Sequence, residues 1–391
     1  MAENFDLVVI GAGIHGAGVA QAAAAAGYSV RVLERQGIAS GTSSRSSKLI
    51  HGGLRYLEQF QLGLVRECLQ ERELLLKLAP ELVRIKPFYI PVYETTRRRP
   101  WQLYAGLGLY ALLAGPGHHA RFRTLPRSEW ESLGGLDTDG LQQVFQYWDG
   151  QTDDVALTTA VLRSAESLGT QLSMPVAFLG AELEPDGATV RYSEAGQERQ
   201  CRARVLVNAA GPWVTEVAGR ITPLTSHVQS ELVQGTHIVV DVPSRDGIFY
   251  LEVPEDGRAV FLMPWKGMSL MGTTEAPYPG REPGAVAPSE QERAYLRRVV
   301  ERYFPRQTFK ELSAFAGLRV LPRDASRPFE RGRELILETD RMQKPRVISL
   351  FGGKLTSYRA DSLKVLAKVR GSLPDRKPRG DTRSLPLHPA G

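Results

Sequence analysis

The chain has 391 residues and a mass of 43.2 kDa, with 42% hydrophobic residues, 24% charged residues and a formal net charge of +6. These proportions predict about two globular domains and exclude collagen-like, disordered and multi-span membrane classes. The modest basic excess suits an anionic partner, whether nucleic acid, a membrane surface or a phosphorylated substrate, without choosing among them. Cys68 and Cys201 show no CxxC spacing, so neither a disulfide framework nor a metal site is expected. No basic region precedes the first apolar run, 7–10, and no run reaches the ~18 apolar residues of a spanning helix. A soluble or surface-bound chain is the expectation.

The N-terminus reads as strand, glycine turn, helix and strand: a β-rich run over 5–10, Gly11 to Gly16, an Ala-rich helix to Ala26, then a strand over 29–33. Residues 36–56 are rich in Gly, Ser and Thr and read as an extended functional loop. An amphipathic helix follows over 62–78, stopped by Pro80, and a strand over 87–92. Residues 103–114 are almost wholly apolar. A helix is predicted over 158–168 and β-hairpins over 176–207. Strands are predicted over 236–240, 248–253 and 259–263, and a charged helix over 285–304. The strand at 347–351 leads through a Gly-Gly turn into a last helix, 356–369, and the Pro- and Arg-rich stretch 371–391 reads as a mobile basic tail. Residues 1–80, 150–220 and 320–370 thus look like nucleotide-binding α/β material, interleaved with a strand-rich substrate domain over 81–149 and 221–319.

Gly11, Gly13 and Gly16 form a GxGxxG between strand and helix. The first allows the tight turn, the second lets backbone approach a pyrophosphate, and the third lets the helix pack on the sheet. The helix N-terminus then offers unpaired N–H groups to phosphates, and Glu34 ends the second strand, placed for ribose hydroxyls. The apolar run Val205-Leu206-Val207 ends in Asn208-Ala209-Ala210-Gly211, followed by Pro212-Trp213. The glycine device recurs at Gly352-Gly353-Lys354-Leu355-Thr356. Three such turns suit a long dinucleotide, FAD, better than NAD.

The loop Gly37-Ile38-Ala39-Ser40-Gly41-Thr42-Ser43-Ser44-Arg45-Ser46-Ser47-Lys48-Leu49-Ile50-His51-Gly52-Gly53-Leu54-Arg55-Tyr56-Leu57-Glu58 resembles the flavin loop of the FAD-dependent, respiratory glycerol-3-phosphate dehydrogenases. Gly352-Gly353-Lys354 with Tyr358-Arg359 is similar to that family's second signature. Tyr147-Trp148-Asp149-Gly150-Gln151-Thr152-Asp153-Asp154, Gly235-Thr236-His237, Gly272-Thr273-Thr274 and Gly317-Leu318-Arg319 fall between them in the family's order. The resemblance spans 5–370. It implies an α/β fold: a Rossmann-like FAD-binding domain of the glutathione-reductase/D-amino-acid-oxidase type, interleaved with a mixed-sheet substrate domain. It also implies oxidation of sn-glycerol 3-phosphate to dihydroxyacetone phosphate, with electrons passed to membrane quinone. Where the family helix after the glycine turn carries an Asp and an Arg, this chain has Ala22 and Ala26, and Glu275 follows the Gly-Thr-Thr. Family members continue into a helical C-terminal domain, so either a natural short form or a truncated one is expected here.

Hydride transfer from an alcohol carbon to flavin requires a base, cations for a phosphate and a fixed approach. His237 matches a family active-site position and is the candidate base, since an imidazole can accept a proton at neutral pH. A hydrogen-bonded strand histidine is the alternative. Arg319 matches a family arginine that could orient the hydroxyl or stabilise its developing charge. Lys354 is expected to serve flavin or substrate. Arg55, Tyr56, Thr273, Thr274 and Arg333 are the implied substrate contacts, arginine being suited to phosphate by its planar fork. Implied flavin contacts come from Glu34, Arg35, Thr42, Ser43, Ser46, Ser47, Lys48, Leu49, His51, Gly52 and Gly53, then from Ala210, Gly211 and Trp213, and from the 352–356 turn. His15 is expected to be structural.

A quinone-reducing enzyme must meet the bilayer. The arginines at 97–99, with Trp101, Tyr104 and Tyr110 around an apolar stretch, are the expected contact, on the cytoplasmic, inner face of the plasma membrane. A helix buried under the substrate domain is the alternative. The basic residues at 376–383 could add charge. Nucleic-acid binding is not expected, because the basic residues are dispersed and no binding module is recognisable. Competing readings are a sister flavoenzyme acting on another 2-hydroxy acid or an amine, an oxidase using O2, and a non-catalytic flavin-binding paralogue.

Overall fold

The computed structural model describes residues 3–116, 118–225, 228–242, 247–323 and 334–389. The expected N-terminal unit forms as β1 (Glu3–Ile10), α1 (Ile14–Ala25) and β2 (Val30–Leu33), with β1 and β2 parallel and Val9 opposite Val32. On its other side β1 pairs in parallel with Gln197–Asn208, whose last residues pair with Val347–Phe351. These central strands are apolar on both faces because helices and a second layer cover them. Val176–Glu184 and Gly187–Glu194 extend the sheet as antiparallel neighbours, giving nine strands among the described residues.

Helix α1 is buried on every side, packed between the helices Asp154–Ser167 and Tyr358–Val369. This accounts for its alanines: small side chains let three helices approach one another over the sheet. At Gly18 an added Cβ would lie 2.5 Å from Ser362 Oγ. Ala22 is interior, and a charge there would be buried without water.

The second sheet has ten strands among the described residues and is mixed. Ser230–Val240 lies between Glu311–Pro322 and Met268–Gly272, antiparallel to both, while Ile248–Glu252 runs parallel to Val83–Tyr93. Val83–Tyr93 in turn pairs with Leu141–Thr152. The sequence reading missed Leu141–Thr152 as a strand. It is buried on both faces and carries Gln146, Asp149 and Thr152 inside, so no alternation marks it. Glu311–Pro322 was legible only through the Gly317-Leu318-Arg319 motif.

Two boundaries expected from the sequence shift. Leu49–Ile50, in the 1–80 segment assigned to the nucleotide-binding half, pairs with Gln151 and Gly150 of the second sheet. The 371–391 stretch, expected to be mobile, is packed through its described residues: the Arg379 and Gly380 amides donate to the Ala25 carbonyl, and the Leu387 amide donates to that of Leu78. Leu387 is 2% exposed in the core that holds α1. Two of its three arginines are occupied, Arg376 by Asp6 at 3.1 Å and Arg379 by the Leu168 carbonyl, so the stretch offers less free charge than its composition suggests.

Candidate active site

A cleft of about 500 Å³ opens between the two sheets. Its floor starts at the first glycine turn. Gly11 has φ +101°, and a Cβ there would stand 2.8 Å from the Ala209 carbonyl oxygen; at Gly16 a Cβ would lie 1.9 Å from the Gly11 oxygen. Gly16 therefore serves helix packing and does not line the cleft, whereas Gly11 and Gly13 do. Glu34 lines it as well, and its carboxylate already shapes the turn: Oε2 accepts from the Ala12 amide at 2.7 Å and Oε1 from Gln36 at 2.8 Å. Ser43 Oγ accepts from the Ile14 amide at 2.9 Å. The Arg35 guanidinium lies 4.9 Å from the Trp213 ring centroid, beside Ala210 and Gly211.

The loop supplies one wall through Thr42, Ser43, Ser46, Ser47, Leu49 and His51. Thr42 Oγ1 donates to the Leu318 carbonyl at 2.6 Å, and the His51 amide donates to Thr356 Oγ1 at 3.1 Å. Three expected flavin contacts sit elsewhere. Lys48 is 4% exposed, with Nζ 2.7 Å from each Asp154 oxygen and 2.5 Å from the Ser44 carbonyl. The Gly52 amide donates to Tyr110 Oη at 2.8 Å. Gly53, at φ +78°, turns the chain into the short 3-10 helix Leu54–Leu57. The opposite wall comes from Gly352, Gly353, Lys354, Leu355 and Thr356.

At the second sheet's end of the cleft lies His237, 1% exposed on Ser230–Val240. The Phe315 ring stacks on it at 5.0 Å and 14°. On the other neighbouring strand Gly272 faces it, where a Cβ would meet the imidazole at 2.1 Å. Nε2 is 3.0 Å from Ser47 Oγ, and Nδ1 is buried with no protein partner. Burial, then the charges of Arg319 and Lys48, hold its proton affinity well below the usual histidine value, so the imidazole is neutral.

Arg319 lines the cleft beside it, 3.1 Å from Thr273 Oγ1 and 3.3 Å from Glu275. Arg55 approaches the same carboxylate at 4.0 Å. Tyr56 carries Arg55 and Lys354 over its ring, Lys354 Nζ only 3.8 Å from the centroid. That ammonium is buried without a hydrogen-bond partner. Thr274 corrects the expectation of a pocket wall: it is interior, donating to Glu292 at 2.6 Å. Arg333 lies outside the described residues. Sequence reasoning missed Asp154 and Phe315 as neighbours of the site and the bridging role of Glu275. Asp153 caps the helix Asp154–Ser167, and Asp154 turns inward to Lys48.

The apolar segment forms the helix Pro100–Ala114. One face is exposed, with Trp101 at 71% and Leu112 at 77%, while Leu103, Leu107 and Tyr110 point inward. Tyr110 is therefore no interfacial residue: its hydroxyl donates to buried Asp149 at 2.6 Å. Arg98 is paired with Glu58 and Glu252, and Arg97 with backbone carbonyls, which leaves the arginine cluster less free than expected. No helix among the described residues is long and apolar enough to cross a membrane.

The family described as FAD dependent oxidoreductase matches residues 6–359. A D-erythritol 1-phosphate dehydrogenase of Brucella abortus is 38% identical over 91% of this chain and 72% of its own length. A glycerol-3-phosphate dehydrogenase of Pseudomonas aeruginosa is 37% identical over 92% of this chain and 70% of its own. Among solved structures, the glycerol-3-phosphate dehydrogenase of Bacillus halodurans complexed with FAD superposes with a TM-score of 0.76, covering 98% of this chain and 68% of that one at 24% identity.

Proposed function

Because the chain belongs to the FAD-dependent oxidoreductases, among their glycerol-3-phosphate dehydrogenase homologues, we propose that it oxidises sn-glycerol 3-phosphate to dihydroxyacetone phosphate. The cofactor is FAD, and the cleft suits it: a glycine turn without room for Cβ atoms, a helix start, and a buried ammonium at Lys354 that no protein group satisfies. Gly11, Gly13, Ser43, Arg35 and Trp213 would hold the dinucleotide end, and the 352–356 turn with His51 the other. FAD, when bound, supplies the acceptor for the hydride leaving the alcohol carbon.

The observation that supports the substrate reading is the linked set Lys354, Tyr56, Arg55, Glu275 and Arg319, of which Lys354, Tyr56 and Arg319 line the cleft and Arg55 and Glu275 stand behind them. Such a set suits an anionic head such as a phosphate. Arg319 with Thr273 would orient the hydroxyl to be oxidised. His237, neutral and lining the cleft, is the group placed to take the hydroxyl proton, with Ser47 holding its ring at Nε2. A phosphate dianion near Arg319 would offset one of the charges that suppress the imidazolium, so the proton affinity of His237 rises as substrate arrives. A longer polyol phosphate is the second reading, favoured by the Brucella relative, since it presents the same phosphate and neighbouring secondary alcohol.

We take a membrane quinone on the inner face of the plasma membrane as the electron acceptor. The uncharged, exposed face of Pro100–Ala114 supports that contact, with Trp101 and Tyr104 suited to the headgroup level.

The test is anaerobic bleaching of the flavin by glycerol 3-phosphate beside D-erythritol 1-phosphate, glycerol and 2-hydroxyglutarate. Bleaching by glycerol 3-phosphate first is expected; preference for the tetritol phosphate moves the substrate to the second reading, and bleaching by the hydroxy acid alone sinks both. His237→Ala and Arg319→Ala should keep bound FAD but slow its reduction about 100-fold or more. Wild-type rates would remove the role of either residue.

A further inference from the structure

Lys48 is a buried cation beside the cleft that does not line it. Its backbone is left-handed, at φ +59°, a conformation uncommon for a residue with a Cβ. The surrounding loop is folded around one carboxylate. Asp154 accepts from Lys48 Nζ, from Ser46 Oγ at 2.7 Å and from the Ser46 amide at 3.1 Å, and it also meets the Val155 amide at the start of its helix. The Lys48 amide donates to Ser46 Oγ at 3.1 Å, and the Lys48 carbonyl accepts from the Thr152 amide at 2.9 Å. Between these pinned residues stands Ser47, whose Oγ meets His237. Lys48 Nζ also lies 5.3 Å from the centroid of Phe315, the ring stacked on that imidazole.

We propose that the Lys48–Asp154 pair is a positioning device for His237: it fixes the backbone from which Ser47 reaches Nε2, and it keeps a cation over the ring that stacks on the imidazole. The proposal rests on His237 as the proton acceptor. Fixing Nε2 against Ser47 sets the tilt and the tautomer of the ring, and the nearby cation opposes premature protonation. The charged groups near the imidazole are Lys48, bound to Asp154, and Arg319, bound to Glu275. Phe315 and Gly272 fill the flanking strands and carry no charge.

The test uses FAD-loaded protein and the variant Lys48→Met/Asp154→Asn, which removes both charges together. Its FAD content should match wild type. The acidic limb of the rate of anaerobic FAD reduction should move toward higher pH, because Lys48, and not Asp154, is the member of the pair whose charge holds the imidazolium down. The nitrogen-15 titration of the His237 ring should move with it, and Lys48→Arg should leave both near wild type. An unchanged limb and unchanged ring titration would overturn the proposal, as would loss of FAD with a uniform fall in rate, which would mean that the pair merely holds the loop. Should the double variant not fold, Ser47→Ala decides: averaged shifts of the two ring nitrogens and roughly tenfold slower reduction support the proposal, and unaltered shifts end it. If instead His237→Asn keeps the wild-type rate and profile, the role of His237 fails, while the ring titration still judges the pair.

Discussion

Lys48 and Lys354 are two buried ammonium groups beside one cleft, and their surroundings are opposite. Lys48 meets a carboxylate, a carbonyl and two aromatic faces; Lys354 meets the ring of Tyr56 and has no hydrogen-bond acceptor. Both stand in glycine-rich segments that the sequence marks as cofactor contacts. The difference teaches that a buried charge with its partner built in belongs to the protein's own framework, whereas one lacking a partner is held for something that arrives. Glu71 and Arg359, paired at 2.6 Å on two packed helices, show the framework kind again.

The sharpest way to break the comparison is to neutralise each lysine alone. Lys48→Met leaves Asp154 buried and unpaired, and should cost about 3–5 kcal/mol in chemical denaturation. A loss below 1 kcal/mol would place Lys48 in the same class as Lys354. Lys354→Met should leave stability unchanged or higher, and raise the KM for a phosphorylated alcohol about ten- to a hundredfold, with less effect on an unphosphorylated one. An equal effect on both would move Lys354 from substrate to flavin. The smallest effect concerns pH. His237 has a lowered proton affinity in the folded state, so the unfolded chain binds the extra proton. Stability should be independent of this group above about pH 6.5 and fall as pH drops below it, by at most about 1.4 kcal/mol per unit. His237→Gln should flatten that slope in denaturant titrations at pH 5.5 and 7.5; an unaltered slope would assign it to other groups.

Much of the fold was legible because its signals are local. The glycines of 11–16, the amphipathic spacing of Leu62–Leu78 and the apolar run into Asn208 each declare their element within a few residues. The partners of the site are of another kind. Asp154 reaches Lys48 across 106 positions, Glu275 reaches Arg319 across 44, and Tyr110 reaches Gly52 across 58. Only the packing of two sheets decides those meetings. Thr274 failed as a pocket residue for a related reason: in the connection after the strand Met268–Gly272, Thr273 turns to Arg319 while Thr274 turns to Glu292, and only the tertiary partners decide this.

Leu49–Ile50 gives the molecule one more property. This two-residue strand ties the loop bearing His51 to the second sheet, while Thr42, a few residues earlier, is fastened to Leu318. The glycine turn that receives the loop's other end, through Ser43, belongs to the first sheet. The sheets therefore cannot part like a hinge without opening this ladder. Hydrogen exchange at these amides should follow global unfolding, and a ligand seated between the sheets should slow it by the full measure of its binding free energy.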